Sequence, residues 1–114
     1  MESDEFHFMR RALAAANEAA VKGEVPVGAV VVYAGEVIGE AHNQREATQS
    51  ALGHAELAAI DKASAHLGSW RLSECDIYVT LEPCIMCVGA ILQARLRRLV
   101  FGCLDPKAGA VESL

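Results

Sequence analysis

Two short clusters in this sequence have the residue types and spacing of a metal site. Cys84 and Cys87 stand three positions apart directly after Pro83, and His54 stands two positions before Glu56. Thiolate and imidazole are the ligands that zinc prefers, and a catalytic zinc site keeps three protein ligands and leaves the fourth position to water. His54, Cys84 and Cys87 are therefore predicted to hold one Zn²⁺ per chain, which would lower the pKa of its water toward neutrality.

Glu56 is too close to His54 in the sequence to be an obvious fourth ligand. A carboxylate beside an activated water serves better as a proton shuttle, and general acid–base work of this kind raises a rate by roughly 10²–10⁴-fold. We therefore predict that Glu56 is the catalytic residue.

Each half of this pattern has a simpler explanation when it is taken alone. A C-x-x-C pair also fits a redox pair or half of a structural zinc knuckle, and a helix often begins with a histidine and a glutamate. A structural site would need a fourth cysteine or histidine. Cys75 and Cys103 are interpreted as ordinary buried or loop cysteines. The two halves together, each predicted to open a helix, favour a catalytic site.

The composition predicts one cored globular domain, residues 1–114, because the chain has 114 residues, 53% of them hydrophobic, and a mean hydropathy of +0.23. No apolar run approaches the length of a membrane span, and the acidic N-terminus lacks the layout of a signal peptide. These features predict a cytoplasmic protein without a membrane partner, in which four cysteines point to metal or buried thiols. The net charge of −5 argues against a general nucleic-acid binder, although gripping one short RNA loop does not require global positive charge.

The first third of the chain is predicted to form a helix followed by a β-hairpin. The helix is capped by Ser3 and stops at Gly23, and its apolar face comprises Phe6, Met9, Leu13, Ala16 and Ala20. The apolar residues 25–33 predict a buried central strand, and residues 37–41 predict its hairpin partner after a short turn. Residues 42–53 are polar and aperiodic, which predicts a loop.

The remainder alternates helix and strand. Residues 54–67 predict a helix that stops at Gly68, and residues 77–81 and 99–102 predict strands. A helix is predicted from Pro83, at its first position, to about residue 95, and its apolar residues 85–92 predict burial on most sides. Strands separated by helices favour parallel pairing, so the fold class is α/β: a three-layer α/β/α domain with a mixed sheet.

The sequence resembles the cytidine deaminase superfamily and, within it, the bacterial tRNA-specific adenosine deaminases. The matching segments are residues 25–30, 43, 54–56, 79–90, 100–102 and 105–110. The resemblance implies a zinc-dependent hydrolase that converts adenosine to inosine at the wobble position of a tRNA, with an arginine isoacceptor as the expected one. It also implies a homodimer with the active sites near its interface, and the tRNA anticodon loop as partner.

The resemblance also implies roles for four residues that the pattern alone would not single out. Asn43 would hydrogen-bond the flipped-out nucleoside, and Val25 would form an apolar wall for the purine. Asp105 and Lys107 would contact the RNA that flanks the target base. Family members continue past residue 114, so this chain is expected to lack the family's last strand and C-terminal helices, and to be less stable and more prone to association.

Three rival functions share part of this pattern. A free-base or nucleoside deaminase acting on guanine, cytosine or cytidine would have the same fold and metal ligands. The riboflavin-pathway deaminases share the His-Ala-Glu and Thr-Leu-Glu-Pro-Cys segments, but their second cysteine lies farther on. A non-catalytic zinc domain that binds RNA would have no use for Glu56.

Overall fold

The computed structural model describes residues 4–113, which form four helices and four strands. In chain order the elements are α1 (Asp4–Val21), β1 (Gly28–Tyr33), β2 (Glu36–His42), α2 (Arg45–Thr48), α3 (Ala55–Leu67), β3 (Cys75–Leu81), α4 (Ile85–Gln93) and β4 (Arg98–Cys103). The predicted order is confirmed, with one addition: the segment 42–53, expected to be a loop, contains α2. The predicted cap Ser3 lies outside the described residues.

The sheet is mixed, as predicted, with the strand order β2-β1-β3-β4. β1 is antiparallel to both of its neighbours, and β3 is parallel to β4. The hairpin between β1 and β2 turns at Ala34 and Gly35, whose φ angles are +51° and +81°. Positive φ at both turn residues gives the tight turn that matches the twist of the flanking strands.

Helices cover both faces of the sheet and form two separate cores. α1 packs on one face, where Phe8 and Ala12 meet Val30, Val32 and Tyr78. α3 and α4 pack on the other, over a larger core whose members include Ala29, Val31, Ala59, Ala63, Ile77, Val79 and Ile91. The three-layer prediction is therefore confirmed.

Alanine faces and strand glycines bring the helices unusually close to the sheet. A methyl group added at Gly28 would overlap the carbonyl oxygen of Ala12 in α1. One added at Gly39 would overlap the carbonyl oxygen of Ala59 in α3. Real side chains essentially never approach backbone so closely, so both positions require glycine, and each helix is held at a short, fixed distance from the strands.

This packing corrects the predicted face of α1. Phe6 and Leu13, assigned to the core from their hydrophobicity, are 67% and 49% exposed. Ala20 is exposed as well, whereas Ala16 is buried and Met9 is partly buried, as predicted. The buried residues of α1 are Phe8, Ala12, Ala15, Ala16 and Ala19. The close approach at Gly28 leaves room only for methyl groups at that contact, so α1 turns its alanines, together with Phe8, toward the sheet.

The structure also corrects two predictions for α4. Pro83 does not occupy the first helical position, because the N-cap is Cys84 and Pro83 precedes it. The helix is not buried on most sides either: Cys87 and Ile91 are buried, whereas Ile85 and Leu92 are 73% and 66% exposed. Only one face of α4 meets the sheet.

Within residues 4–113 no helix combines the length and the apolar character that crossing a membrane requires.

Candidate metal centre and pocket

Two helices begin at the candidate metal centre, and the N-cap residue of each is a predicted ligand. His54 is the N-cap of α3 and Cys84 is the N-cap of α4, both with extended backbone angles. Neither side chain caps its own helix through a hydrogen bond. Cys87 lies one turn further along α4 on the same face. The positive ends of both helix dipoles therefore meet where thiolates would be stabilised.

The distances between the three side chains fit a zinc ion. The Nδ1 atom of His54 lies 3.4 Å from the Sγ atom of Cys87 and 3.7 Å from the Sγ atom of Cys84. All three potential ligand atoms lie within 4.8 Å of one another. Tetrahedral zinc, with bonds of about 2.0–2.3 Å, separates its ligand atoms by roughly 3.3–3.8 Å. The donor set and the two nitrogen–sulfur distances thus suit zinc.

Neither of the other two cysteines belongs to this group. Cys75 begins β3, whereas Cys84 follows the other end of that strand, about 20 Å away at the usual rise of a strand. Cys103 is exposed, and its thiol donates a hydrogen bond to the carbonyl oxygen of Thr80. In the part of the chain that the structure describes, the candidate centre therefore offers three ligands, which is the open arrangement of a catalytic site.

Glu56 sits beside this group in the first turn of α3 and is only 4% exposed. Burial raises the pKa of its carboxyl group, against a hydrogen bond from its own backbone and one with the thiol of Cys87. Burial lowers the pKa of His54, with a further contribution from the charge of Arg45. The imidazole is therefore held in the neutral form that binds a metal.

Burial also raises the pKa of the Cys87 thiol, and the negative charge of Glu56 adds to the effect. A bound divalent cation reverses this preference, because it stabilises the thiolate directly.

A cavity of about 180 Å³ is lined by Glu56 and by two of the three candidate ligands, His54 and Cys84. Three of the four residues that the resemblance assigned to substrate line it: Val25, Asn43 and Asp105. Lys107 does not line it, although it lies on the same turn, with its amide N–H donating to the Oδ1 atom of Asp105 at 3.2 Å. Lys107 is exposed.

Asn43 is buried, and a hydrogen bond fixes the orientation of its side-chain amide. Its Oδ1 atom accepts a hydrogen bond from the backbone N–H of Arg45 at 3.0 Å, and its own backbone N–H donates to the carbonyl of Val27. The amide NH₂ is then the group that Asn43 can offer to a molecule in the cavity. Val25 is 47% exposed and supplies an apolar edge to the opening.

Sequence reasoning missed two buried acids that fasten the walls of this cavity. Glu24 accepts hydrogen bonds from the backbone N–H groups of Glu46 and Ala47, which anchors α2 next to Asn43. Glu82 accepts hydrogen bonds from the segment that carries Asp105. In the sequence, Glu24 directly precedes the apolar segment that begins at Val25, and Glu82 lies between Leu81 and Pro83. A charged group in such a place needs buried hydrogen-bond partners. This position among apolar residues is the sequence signal that could have identified both acids.

Comparison with known proteins places the chain in a family. The family model described as MafB19-like deaminase matches residues 3–114. A tRNA-specific adenosine deaminase of Bacillus subtilis is 49% identical over 114 residues, which are all of this chain and 70% of that protein.

Two solved structures share the fold. One comes from a study of A-to-I editing by tRNA:A34 deaminases at the wobble position of transfer RNA. It has a TM-score of 0.93 and 50% sequence identity, and the match covers 96% of this chain and 79% of that one. The other, a guanine deaminase of Bacillus subtilis, has a TM-score of 0.85 and 36% sequence identity, and the match covers 91% of this chain and 66% of that one. With this fold, this pair of helix starts and this level of identity, the chain belongs to the MafB19-like deaminases and to the family of tRNA-specific adenosine deaminases.

Proposed function

We propose that this protein is a zinc-dependent hydrolytic deaminase that converts adenosine to inosine at the wobble position of a tRNA, with an arginine tRNA as the expected substrate. The observation that carries the proposal is the juxtaposition of His54, Cys84 and Cys87 with the buried Glu56 beside one cavity. The high identity to tRNA-specific adenosine deaminases supports the choice of substrate.

The three ligands would hold one zinc ion per chain, and the ion, when bound, would activate a water molecule for attack. Net hydrolysis replaces the exocyclic amine of adenine with the oxygen of that water and releases ammonia. Glu56 accepts one proton from the attacking water and delivers it to the ring nitrogen beside the reacting carbon. It then accepts the second proton from the hydroxyl group now bound to that carbon and delivers it to the amine, which departs as ammonia while the carbon–oxygen double bond forms.

The environment of Glu56 suits this double role. Its burial raises its pKa above that of an exposed glutamate, which makes the carboxylate a stronger proton acceptor. Glu56 is almost fully buried, and the first turn of α3 places its carboxyl group beside the candidate metal ligands. A proton shuttle needs this fixed geometry first and its pKa second.

Binding of the target base would use the cavity wall. The amide NH₂ of Asn43 donates to an acceptor on the nucleoside, and the side chain of Val25 packs on the purine face. Asp105 and Lys107 contact nucleotides on either side of the target. A base must leave its stack to enter such a cavity, which favours an adenosine in a single-stranded loop. The anticodon loop is such a partner, and the reaction would take place in the cytoplasm.

We further propose a homodimer as the working state. The outward face of α4 carries Ile85 and Leu92, both largely exposed, and α4 begins at the metal ligand Cys84. Exposed apolar patches on globular proteins commonly mark association sites. A second copy that covers this face would lie next to the active site, as the resemblance implies.

The test uses three substrates in parallel: an anticodon stem-loop with adenosine at the wobble position, free guanine and free cytosine. We expect inosine in the stem-loop, detected by mass spectrometry of the digested RNA, and little product from either base. Turnover of guanine without reaction of the stem-loop would assign the chain to guanine deamination. Zinc and RNA binding without any turnover would assign it to a non-catalytic module.

A further inference from the structure

Glu82 is a buried carboxylate that the chemistry proposed above does not use. It lies between the end of β3 and the ligand Cys84 and is 2% exposed. Its two oxygens accept five hydrogen bonds, at 2.6–3.0 Å, from Asp105 N–H, Val111 N–H, Glu112 N–H, Ser113 N–H and Ser113 Oγ. A carboxylate with this many donors is held strongly in its charged form.

All five donors belong to one segment, residues 105–113, which has no helix or strand of its own. The donors come from its beginning, at Asp105, and from its last part, at residues 111–113, so one side chain ties both ends together. Two backbone contacts add to this: Ala110 N–H donates to the carbonyl of Pro83 at 2.9 Å, and Gly109 pairs with Cys84. Glu82 is therefore the centre around which the segment is folded.

The space around Glu82 matches this role. A methyl group added at Gly109 would overlap the carboxylate of Glu82 and lie 2.7 Å from the carbonyl oxygen of Asp105. The segment packs on the carboxylate with no room for a side chain.

The segment also forms part of the cavity wall. Asp105 and Ala108 line the cavity together with Glu82 itself. Fixing residues 105–113 thus fixes the segment that carries the predicted RNA contacts Asp105 and Lys107, whereas the candidate metal ligands and Glu56 are placed by α3 and α4.

We propose that Glu82 is a positioning residue that sets substrate affinity: it holds the 105–113 segment as a preformed wall for the nucleotides that flank the target base. The inference rests on the proposed function and deepens it. Without the carboxylate the wall would have to be ordered on binding, and the ordering would weaken affinity. The chemical step, which depends on Glu56 and the metal ligands, would stay intact.

The experiment compares Glu82→Gln with Asp76→Asn in the 114-residue chain. Asp76 is a matched control because it is also buried, lies at the opposite end of β3 and pairs with Arg97 at 3.0 Å, away from the cavity. The amide introduced by Glu82→Gln would present an NH₂ group to backbone donors and leave them unpaired. We expect Glu82→Gln to raise the KM for the stem-loop about tenfold or more, as expected for lost hydrogen bonds to a charged group, while kcat stays within about threefold. Asp76→Asn should change neither.

Amide hydrogen exchange gives a second readout that does not require turnover. In Glu82→Gln the amides of Asp105 and residues 111–113 should exchange faster, while those of α4 stay protected; Asp76→Asn should leave the segment unchanged. Unchanged exchange in the segment, or a loss of kcat at constant KM, would overturn the proposal. A parent chain that is inactive on the stem-loop counts against the proposed function, and exchange still decides the role of Glu82.

Gly109→Ala is the second variant in case Glu82→Gln does not fold. It keeps the carboxylate but forces the segment away from it, so it should raise KM and exchange in the same places. The effects of the two substitutions should be less than additive, because both act through one contact. Full additivity would contradict a shared mechanism.

Discussion

At the scale of single residues, the site depends on side chains that give up their ordinary local role. His54 and Cys84 occupy N-cap positions, where a side chain usually satisfies a backbone N–H of its own helix, yet both turn toward each other. Each helix start thereby lacks a side-chain cap, and the same side chain is free to bind a metal. The proposed metal would replace that local stabilisation with coordination bonds shared by two helices.

The metal prediction concerns Cys87 and Cys103. Cys87→Ser should lose most of the bound zinc, because a hydroxyl is a poor replacement for a thiolate ligand, and should lose turnover with it. Cys103→Ser is the control and should keep one zinc per chain, since its thiol bonds to a backbone carbonyl outside the group. Elemental analysis of the purified proteins measures the stoichiometry. Loss of zinc in Cys103→Ser would indicate a fourth protein ligand.

The catalytic prediction concerns Glu56. Glu56→Gln should retain zinc but lower kcat by roughly 10²–10⁴-fold or more, because the amide cannot move protons. Asp61→Asn, an exposed acid on the same helix, is the matched control and should behave like the parent. Single-turnover rates on the stem-loop and zinc content are the measurements. Activity of Glu56→Gln within a few-fold of the parent would show that another group shuttles the proton.

At the scale of elements, the position of the site depends on how closely the helices approach the sheet. α3 carries the alanine face Ala55, Ala59 and Ala63, and α1 carries a similar face. Glycines on the strands remove the side chains that would otherwise hold the layers apart. This close contact fixes the position of the start of α3, which carries His54 and Glu56, relative to the start of α4.

The packing prediction concerns Gly28. Gly28→Ala should lower the free energy of unfolding by about 1–3 kcal/mol or more, because the new methyl group would push the backbone of α1 away. The control is Asn17→Ala, at an exposed position of α1 away from the sheet. It should maintain stability or raise it by up to about 1 kcal/mol through helix propensity. Urea denaturation compares the two. Equal midpoints for Gly28→Ala and the parent would contradict the close packing.

At the scale of the whole molecule, two arginines are neutralised within the fold, whereas apolar side chains of α4 stay exposed. The basic residues Arg97 and Arg98 are paired with Asp76 and Glu5 at the far end of β3 and β4, so they neutralise acids there. The exposed apolar residues of α4 extend from Ile85, next to the candidate ligand Cys84, to Leu92, near the opposite end of the sheet, where Ala94 accepts a hydrogen bond from Leu72. This outer face is thus suited to the association with a second copy proposed above.

The assembly prediction concerns Leu92. If a second copy covers the outer face of α4, Leu92→Glu should convert a dimer into a monomer, because it would bury an unpaired charge in the interface. Val21→Glu, a change of the same kind at an exposed residue of α1, should leave the dimer intact. Sedimentation velocity over a wide concentration range distinguishes these states. A parent that is monomeric throughout, or a dimeric Leu92→Glu, would remove α4 from the interface.

The sequence by itself determined the order of the elements other than α2, the mixed sheet and, to within two residues, the starts of both site helices. Ligand type and spacing are local properties: Cys84 and Cys87 lie within one helical turn, and His54 and Glu56 open another, so neighbouring residues suffice to predict them. The central position of β1 followed from its unbroken apolar run in the same way.

Only the tertiary structure decided which faces are buried and how the cavity walls are held. Phe6 and Leu13 are exposed because the close contact at Gly28 turns the alanine face of α1, together with Phe8, toward the sheet. The outer face of α4 is open because no described element covers it. The partners of Glu82 lie 23–31 residues further along the chain, and such pairings depend on the path of the folded backbone. The hydrophobic pattern of one segment does not indicate which distant segment packs against it. The wall of the site could therefore be identified only from the tertiary structure.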